Sequence, residues 1–236
     1  MKQKLRILFL ILLYFIATNV EAQPRYIQKP GAPNGIDKWY MGRQIAHVMS
    51  HFGIEWLERP ERAFEENSAL LIKNLQLKAG INVADIGAGS GYYSRLISKQ
   101  IGKGKVYAVD VEPMMLAYLK ERVEQENFLN IIPVLGTTTS VSLSKESIDI
   151  MLLVDVYHEF SHPYEMTVSM YNALKPNGKL VLVEFRAEDD RVPIKTIHKM
   201  SEVQAVKELK AAGFRLEKNI KNLPWQHCMV FVKGNK

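Results

Sequence analysis

The feature that most constrains the fold of this chain is a glycine-rich segment that directly follows a short apolar strand. Residues 81–85 are predicted to form the strand, and Gly87, Gly89 and Gly91 follow at alternate positions. Glycine adopts positive φ at little cost and lets a ligand approach the main chain closely. Residues 92–100 are then predicted to be a helix. This order is typical of the ligand-binding end of an open parallel α/β sheet.

The rest of the chain continues the alternation of strand and helix. Further strands are predicted at residues 105–110, 130–135, 148–154 and 179–185, and helices at 113–126, 166–174 and 201–212. Two last strands, 214–218 and 228–233, have no helix between them, which favours an antiparallel hairpin at the sheet edge. The predicted fold class is therefore α/β, a doubly wound and mostly parallel seven-stranded sheet with an antiparallel C-terminal hairpin.

The first 76 residues are predicted to lie outside this domain. Three basic residues precede an apolar run at residues 7–17, and small residues follow up to Ala22, so residues 1–22 are predicted to be a signal peptide that directs export. The run is shorter than the roughly 20 residues that span a bilayer, although an uncleaved membrane anchor is the alternative. Residues 23–38 are predicted to be a linker, residues 39–76 a helical cap, and residues 77–236 the ligand-binding domain.

Charge and cysteine content exclude several classes of function. The formal net charge is +6, and the basic residues are spread along the chain rather than gathered in a patch, which argues against a nucleic-acid partner. Cys228 is the single cysteine, so an intrachain disulfide and a cysteine-based metal site are both excluded.

The charges around the glycine turn discriminate between ligands. The dinucleotide fingerprint Gly-x-Gly-x-x-Gly would require a third glycine at the position of Tyr92. Asp85 would repel phosphates but suits a cation, and Asp110 can accept hydrogen bonds from both hydroxyls of a ribose. These charges favour S-adenosylmethionine, a nucleoside with a sulfonium and an ammonium group. A turn without a ligand and a nicotinamide-dependent reductase are the alternatives.

Three motifs, in order, resemble those of the class I S-adenosylmethionine-dependent methyltransferases. They lie at residues 84–92, 106–116 and 174–180, the last reading Leu-Lys-Pro-Asn-Gly-Lys-Leu. The chain is similar to the small-molecule branch that includes ubiquinone and menaquinone methyltransferases. The resemblance implies S-adenosylmethionine as the cofactor and methyl transfer to a small-molecule acceptor. The alternative is an exported protein that binds S-adenosylmethionine or S-adenosylhomocysteine without transferring a methyl group.

The resemblance also implies which residues bind the cofactor. They are Asp85, Gly87, Gly89, Gly91, Asp110, Val111, Met115, Thr137 and Asp155. The glycines would line the methionine part, with Asp85 near its ammonium, and Asp110 would hold the ribose. Val111 and Met115 would enclose the adenine. Thr137 would bind it where the family often has an aspartate, so the hydrogen bond there would carry no charge.

The loop after the fourth predicted strand is the expected acceptor site. His158 is the candidate general base or acceptor-orienting residue, with Glu159 as its partner and Tyr157 as a wall. The alternative is a surface loop whose polar side chains only satisfy backbone groups. The loop lacks the Asn/Asp-Pro-Pro-aromatic motif of DNA amino-methyltransferases, which argues against methylation of nucleic-acid bases. No metal site is predicted, because Asp155, His158 and Glu159 have no matching cluster elsewhere in the sequence.

Two segments are candidates for a lid over the site. Residues 186–200 follow the fifth predicted strand and contain Arg191, Lys195, His198 and Lys199. The predicted N-terminal helices carry Trp39, Tyr40, Trp56 and Arg59. Surface or packing roles are the alternative for both segments.

Overall fold

The computed structural model describes residues 25–234. The predicted signal peptide lies outside this range and stays a prediction. Within the range, no helix has both the length and the apolar character that crossing a bilayer requires. The strands are β1 Tyr26–Gln28, β2 Gly35–Tyr40, β3 Arg43–Ala46, β4 Asn82–Ile86, β5 Lys105–Asp110, β6 Ile131–Leu135, β7 Ile148–Val154, β8 Leu174–Arg186, β9 Lys199–Met200, β10 Phe214–Asn219 and β11 Gln226–Lys233. The helices are α1 Ile54–Leu57, α2 Arg62–Glu65, α3 Ser68–Asn74, α4 Tyr92–Ile101, α5 Pro113–Gln125, α6 Pro163–Ala173 and α7 Glu202–Ala211.

The central sheet has the strand order β10-β11-β8-β7-β4-β5-β6, and the two-residue β9 pairs with β8 off this path. Strands β8, β7, β4, β5 and β6 are parallel to one another. Strand β11 is antiparallel to both β8 and β10. The predicted fold class and C-terminal hairpin are thus confirmed. The chain leaves β4 toward β5 on one side and returns to β7 on the other. Ligands bind at such a switch point, beyond the carboxyl ends of the strands.

Both faces of the sheet are covered, because alternate residues of a strand point to opposite faces. In β8, Leu180 and Leu182 belong to the core under α6 and α7, and Val181 and Val183 belong to the core under α4 and α5. All four side chains are at most 4% exposed. This double burial holds the carboxyl ends of the strands in a fixed arrangement.

Both local capping residues and tertiary contacts determine the position of helix α7. Ser201 caps its start by accepting the Gln204 backbone N–H at 3.1 Å, and Gly213, at φ +97°, follows its end. A capping box would have the Gln204 side chain bond back to the Ser201 backbone N–H. The Gln204 side chain donates instead to Glu208 at 2.7 Å and to the Met41 carbonyl at 3.3 Å. The helix therefore turns this side chain toward the N-terminal part of the chain.

The prediction of a linker at residues 23–38 and a helical cap at 39–76 is wrong for residues 26–46. These residues form a three-stranded antiparallel sheet, β1-β2-β3. Met41 and Gly42 both have positive φ and join Tyr40 to its partner Arg43, the geometry of a two-residue hairpin turn. The strands are short and half-exposed, so their apolar pattern is weak. The predicted helices are present only later, as a 3₁₀ turn at His51–Gly53 and the short α1, α2 and α3.

The structure also differs at residues 175–178, which separate the predicted helix 166–174 from the predicted strand 179–185. Strand β8 runs through this segment, with a register shift against β7: Ile148 pairs with Leu174, and Ile150 pairs with Lys179. The extra residues on β8 form a bulge instead of a separate turn.

Candidate functional site

A cavity of about 410 Å³ lies at the carboxyl ends of β4, β5 and β7. Its walls combine the glycine turn after β4, Asp110 at the end of β5 and Asp155 after β7. The 3₁₀ turn Tyr157–Glu159 and the loop after β8 complete it. The topology thus brings residues more than 100 positions apart to one site, at the switch point of the sheet.

The glycine turn has the positive φ angles that its three glycines permit. Gly87, Gly89 and Gly91 have φ values of +67°, +53° and +80°. A Cβ on Gly87 would overlap the Val156 side chain, and one on Gly91 would overlap Leu119. Gly87 and Gly89 line the cavity, whereas Gly91 caps the start of α4 away from it. Two of the three glycines are therefore placed to meet a ligand.

Asp110 links the second strand to the glycine turn. Its Oδ2 accepts the Gly89 N–H at 2.8 Å, and its Oδ1 accepts the Glu112 N–H at 2.9 Å. Burial raises the pKa of Asp110, and these backbone donors oppose that shift. Each carboxylate oxygen keeps a further lone pair, so the side chain can still accept two hydroxyl groups of a ribose.

The predicted adenine-binding residues are only partly brought to the cavity. Val111 and Met115 line it, as does Thr138. Thr137 does not, and its Oγ1 accepts the Thr139 N–H at 3.2 Å within the turn after β6. The structure therefore favours Thr138 over Thr137 at this position.

Of the two predicted cofactor-binding aspartates Asp85 and Asp155, only Asp155 lines the cavity. Asp85 is 3% exposed, accepts a hydrogen bond from Ser94 Oγ at 2.7 Å and lies behind the cavity wall. Burial raises the pKa of Asp85 to about 6. Asp155 lines the cavity, and its buried Oδ1 has no hydrogen-bond partner within residues 25–234. Burial, together with the charges of Glu66 and Glu184, raises the pKa of Asp155 well above its usual range.

An unpaired carboxylate oxygen facing a cavity fits a cationic ligand group, because a buried anion needs a compensating charge. The ammonium of S-adenosylmethionine is such a group, so Asp155 suits it better than Asp85. Arg62 of α2 is a second charged residue on the wall. It is 5% exposed and donates to Glu66 at 3.0 Å. The sequence analysis did not identify Arg62 or Glu66 as site residues. Their only sequence signal is the i, i+4 spacing of a basic and an acidic residue.

At the far end of the cavity, His158 is held by a carboxylate from inside the sheet. Its Nδ1 is 2.7 Å from Oε2 of Glu184, a fully buried residue of β8. Because a carboxylate only accepts, the neutral imidazole carries its proton on Nδ1 and leaves Nε2 as an acceptor. Although burial disfavours the imidazolium, the Glu184 carboxylate raises the pKa of His158 above its usual value. The prediction was that Glu159 is the partner of His158. The structure shows that Glu184 holds this ring instead.

His158, Glu159 and His198 form a group that we call the imidazole cluster. His158 Nε2 is 3.0 Å from His198 Nδ1 and 3.8 Å from Glu159 Oε1. Burial raises the pKa of Glu159 to about 7, and its Oε2 accepts the Met49 N–H at 3.1 Å. Burial and the nearby His158 lower the pKa of His198 to about 4. Near neutral pH, the His198 imidazole is thus uncharged.

Tyr157, predicted to be a wall of the acceptor site, lies in the hydrophobic core. It is fully buried, and its ring packs edge-on against Phe160 with the centroids 5.4 Å apart. The cavity wall is formed on this side by Val156 and Phe160. Consecutive side chains of the 3₁₀ turn point in different directions, toward the core or toward the cavity. The sequence contains no signal for which of them points toward the cavity.

The N-terminal sheet supports the imidazole cluster directly. Arg43 of β3 donates from Nη1 to the His158 carbonyl at 3.0 Å. Its Nε and Nη2 donate to the two carboxylate oxygens of Glu208 in α7, at 2.8 and 2.9 Å. The hairpin of β2 and β3, which was predicted to be partly linker and partly helical cap, therefore supports the site.

Parts of both predicted lid segments face the cavity. Lys195 and His198 line it, whereas the exposed Arg191 pairs with Asp189 through Nε at 2.9 Å. Trp56 also lines the cavity, and the Arg59 guanidinium stacks over its ring at 3.6 Å. Trp39 and Tyr40 belong to β2.

The sequence around the site is similar to that of known methyltransferases. A family model for a methyltransferase domain matches residues 83–178. An uncharacterized methyltransferase-like protein of Schizosaccharomyces pombe is 35% identical over 121 residues, which are 51% of this chain and 43% of the relative. The ubiquinone/menaquinone biosynthesis C-methyltransferase UbiE of Legionella pneumophila is 31% identical over 111 residues, 46% of this chain and 44% of the relative. The chain thus spans less than half the length of these relatives.

Solved structures share the fold over a larger part of the chain. The crystal structure of an S-adenosylmethionine-dependent methyltransferase from Aquifex aeolicus matches with a TM-score of 0.73 and 25% identity, covering 78% of this chain and 98% of that one. The family match includes the glycine turn, Asp110 and the imidazole residue His158. In sequence and fold, the chain is therefore similar to the class I S-adenosylmethionine-dependent methyltransferases, and this similarity implies S-adenosylmethionine as the cofactor.

Proposed function

We propose that this protein transfers the methyl group of S-adenosylmethionine to a small-molecule acceptor. The observation that carries the proposal is that one cavity joins the glycine turn and Asp110 to the imidazole cluster. A methyl donor at one end and an acceptor at the other would meet inside it. Such a shared cavity holds two reactants in one orientation, which accounts for much of the acceleration of an in-line displacement.

The cofactor end fits S-adenosylmethionine group by group. Asp110 has acceptor capacity for the two ribose hydroxyls, and the main chain of the glycine turn would lie along the methionine part. The unpaired Oδ1 of Asp155 suits the ammonium. Arg62, on the same wall, suits the carboxylate at that end of the ligand.

The acceptor end fits an apolar molecule with one polar group. Phe160, Met166, Phe185 and Ile194 contribute apolar walls, and the imidazole cluster is the polar region beyond them. The volume of about 410 Å³ is in the range of small-ligand sites. His158 is only 2% exposed, which suits a small molecule better than a side chain of a folded protein.

The reaction breaks the bond between the methyl carbon and the sulfonium sulfur and forms a bond from that carbon to the acceptor atom. S-adenosylhomocysteine is the second product. An acceptor that bears a proton must lose it, and the imidazole cluster is the group placed to receive or displace that proton. Within this proposal, His158 is the candidate base or acceptor-orienting residue.

Calorimetry with S-adenosylhomocysteine tests the first half of the proposal, and we expect one molecule to bind per chain. Methyl transfer is then measured with S-adenosylmethionine labelled on the methyl group, against extracts fractionated by polarity. Label in a small apolar product supports the proposal, whereas binding without transfer supports a protein that only retains the ligand. A chain that does not bind S-adenosylhomocysteine would contradict both.

We also infer from the predicted signal peptide that the protein acts outside the cytoplasm. N-terminal sequencing of the protein isolated from its natural source tests this inference. A first residue of Gln23 in an exported fraction supports export after cleavage. A chain that begins at Met1 in a membrane fraction supports the anchor, and one in the cytosol contradicts both.

A further inference from the structure

The three ligand-type atoms of the imidazole cluster have the spacing of a metal site. One nitrogen of each histidine and one carboxylate oxygen of Glu159 all lie within 4.8 Å of one another. The two nitrogens, His158 Nε2 and His198 Nδ1, are 3.0 Å apart. Ligands at the usual zinc–nitrogen distance of about 2.0–2.1 Å in tetrahedral geometry are about 3.3 Å apart. Small side-chain rotations would therefore admit an ion.

The contact that holds His158 is the one that metal-binding histidines commonly make. Its Nδ1 donates to the Glu184 carboxylate at 2.7 Å, so Nε2 keeps a lone pair directed at His198 and Glu159. A carboxylate behind a histidine fixes the ring, selects the tautomer and increases the basicity of the other nitrogen. Glu184 is fully buried within β8 and cannot turn to solvent.

The charges around the cluster leave room for a cation. Glu159 and Glu184 bring two buried carboxyl groups to His158. Arg43 is the cation that acts on His158, but its guanidinium is engaged in two hydrogen bonds by Glu208. Lys195 acts on His198 from an exposed position. A divalent ion between the imidazoles and Glu159 would offset this buried negative charge.

We propose that the imidazole cluster binds a divalent transition-metal ion through His158 Nε2, His198 Nδ1 and a carboxylate oxygen of Glu159. Two imidazoles and one carboxylate suit Zn²⁺, Co²⁺ or Fe²⁺ better than Mg²⁺ or Ca²⁺, which prefer oxygen ligands. The sequence predicted no metal site, because its candidate set Asp155, His158 and Glu159 had no matching cluster elsewhere in the sequence. His198 completes the set from a loop 40 residues further along the chain.

The consequence for catalysis rests on the proposed function. All three ligands line the cavity, so an ion with three protein ligands keeps an open position toward the acceptor. A hydroxyl group of the acceptor bound there would release its proton to solvent at a lower pH than in water. Its oxygen would then attack the methyl carbon as the carbon–sulfur bond breaks. In this arrangement, His158 acts as a metal ligand and not as the base.

Metal titration of the full chain without an affinity tag tests the inference. The protein is stripped with a chelator and dialysed, then titrated with Zn²⁺ by calorimetry and with Co²⁺ by visible absorption. We expect one ion per chain and a Co²⁺ spectrum that is lost when Zn²⁺ is added. His198→Ala and Glu159→Gln should each weaken Zn²⁺ binding by at least tenfold. His198 is the better first target because it is half-buried in a single 3₁₀ turn, Thr196–His198.

His227 is the matched control. It is a buried histidine whose Nε2 lies 2.9 Å from the Glu188 carboxylate, but it does not belong to the imidazole cluster. His227→Asn should leave Zn²⁺ affinity unchanged, and thermal melts show whether each variant is folded. No saturable binding, or binding that a folded His198→Ala variant keeps, would overturn the inference. S-adenosylhomocysteine binding by the stripped protein is measured in parallel, so failure of the metal site is distinguished from failure of the proposed function.

Discussion

The two ends of the cavity are built in different ways. At the cofactor end, the glycine turn follows β4 and is bonded to Asp110, 21 residues away at the end of the neighbouring strand. At the imidazole cluster, His158 is bonded to Glu184 and His198, which are 26 and 40 residues away, and its carbonyl is bonded to Arg43, 115 residues away. One end is made by two adjacent strand ends, and the other by four separate segments.

This difference explains what each end can do. The cofactor end consists of main-chain groups and one carboxylate from two adjacent strand ends, so it is compact and local. The cluster needs side chains whose orientation depends on packing around them. Polar networks of this kind keep their geometry only while each member is satisfied. The cluster should therefore be sensitive to distant substitutions that leave the cofactor end intact.

The largest expected effect comes from Arg43→Met, which removes the remote support of the cluster. Glu208, fully buried, would lose its bidentate partner, and an uncompensated buried charge costs about 3–5 kcal/mol. Urea denaturation measures the free energy of unfolding. The double variant Arg43→Met/Glu208→Met is the control and should be more stable than Arg43→Met alone. Equal stability of the two variants would show that the ion pair does not carry the effect.

The second prediction concerns the cofactor end. Asp110→Ala removes the acceptor for the ribose and the bond to the Gly89 N–H. We expect S-adenosylhomocysteine affinity to fall by about 100-fold, close to 2.7 kcal/mol, the range of two charge-assisted hydrogen bonds. Calorimetry measures the affinity, and Asp37→Ala, at an exposed aspartate in β2, is the matched control. Retention of near-native affinity would remove Asp110 from the binding site.

Asp85→Asn should stabilise the protein. The variant tests whether Asp85 is a buried residue of the fold and does not contact the ligand. The pKa of Asp85 in the fold, about 6, lies above the ordinary value of 3.8, so ionising it in the fold costs free energy. The cost is absent below about pH 4 and complete above about pH 6. Asn keeps an acceptor for Ser94 Oγ, so the variant should gain about 2 kcal/mol at pH 8 and nothing at pH 3.5. Thermal melts at both pH values check this, and a loss of stability at pH 8 would contradict it.

Glu184→Gln is expected to have the smallest effect on binding and to act only at the cluster. The carboxylate is the main group that raises the pKa of His158 against burial, so this pKa should fall in the variant. NMR titration of the imidazole resonances detects the fall, which a purely structural role would not produce. Methyl transfer should drop by about tenfold, with unchanged affinity for S-adenosylhomocysteine. Glu217→Gln, at an exposed glutamate paired with Lys179, is the control and should change neither quantity.

Much of the fold could be predicted because the central strands are strongly apolar. Residues 105–110 and 148–154 were predicted with the bounds that β5 and β7 have. The N-terminal sheet was missed because its strands are short and partly exposed, and its glycines and prolines are typical of linkers as well. Met41-Gly42 at the hairpin was the available signal, since glycine suits the second position of such a turn.

By itself, the sequence determined the α/β class, the glycine turn and Asp110, because alternating apolar strands, glycines and a strand-end acid act through local geometry. Only the tertiary structure decided that Asp155, and not Asp85, lines the cavity, since Asp85 lies within β4 and contacts Ser94 of α4, whereas Asp155 follows the end of β7. It also decided that Glu184 and His198 meet His158. These residues come from different segments, and their contact exists only because the sheet and the N-terminal hairpin pack them into one buried site.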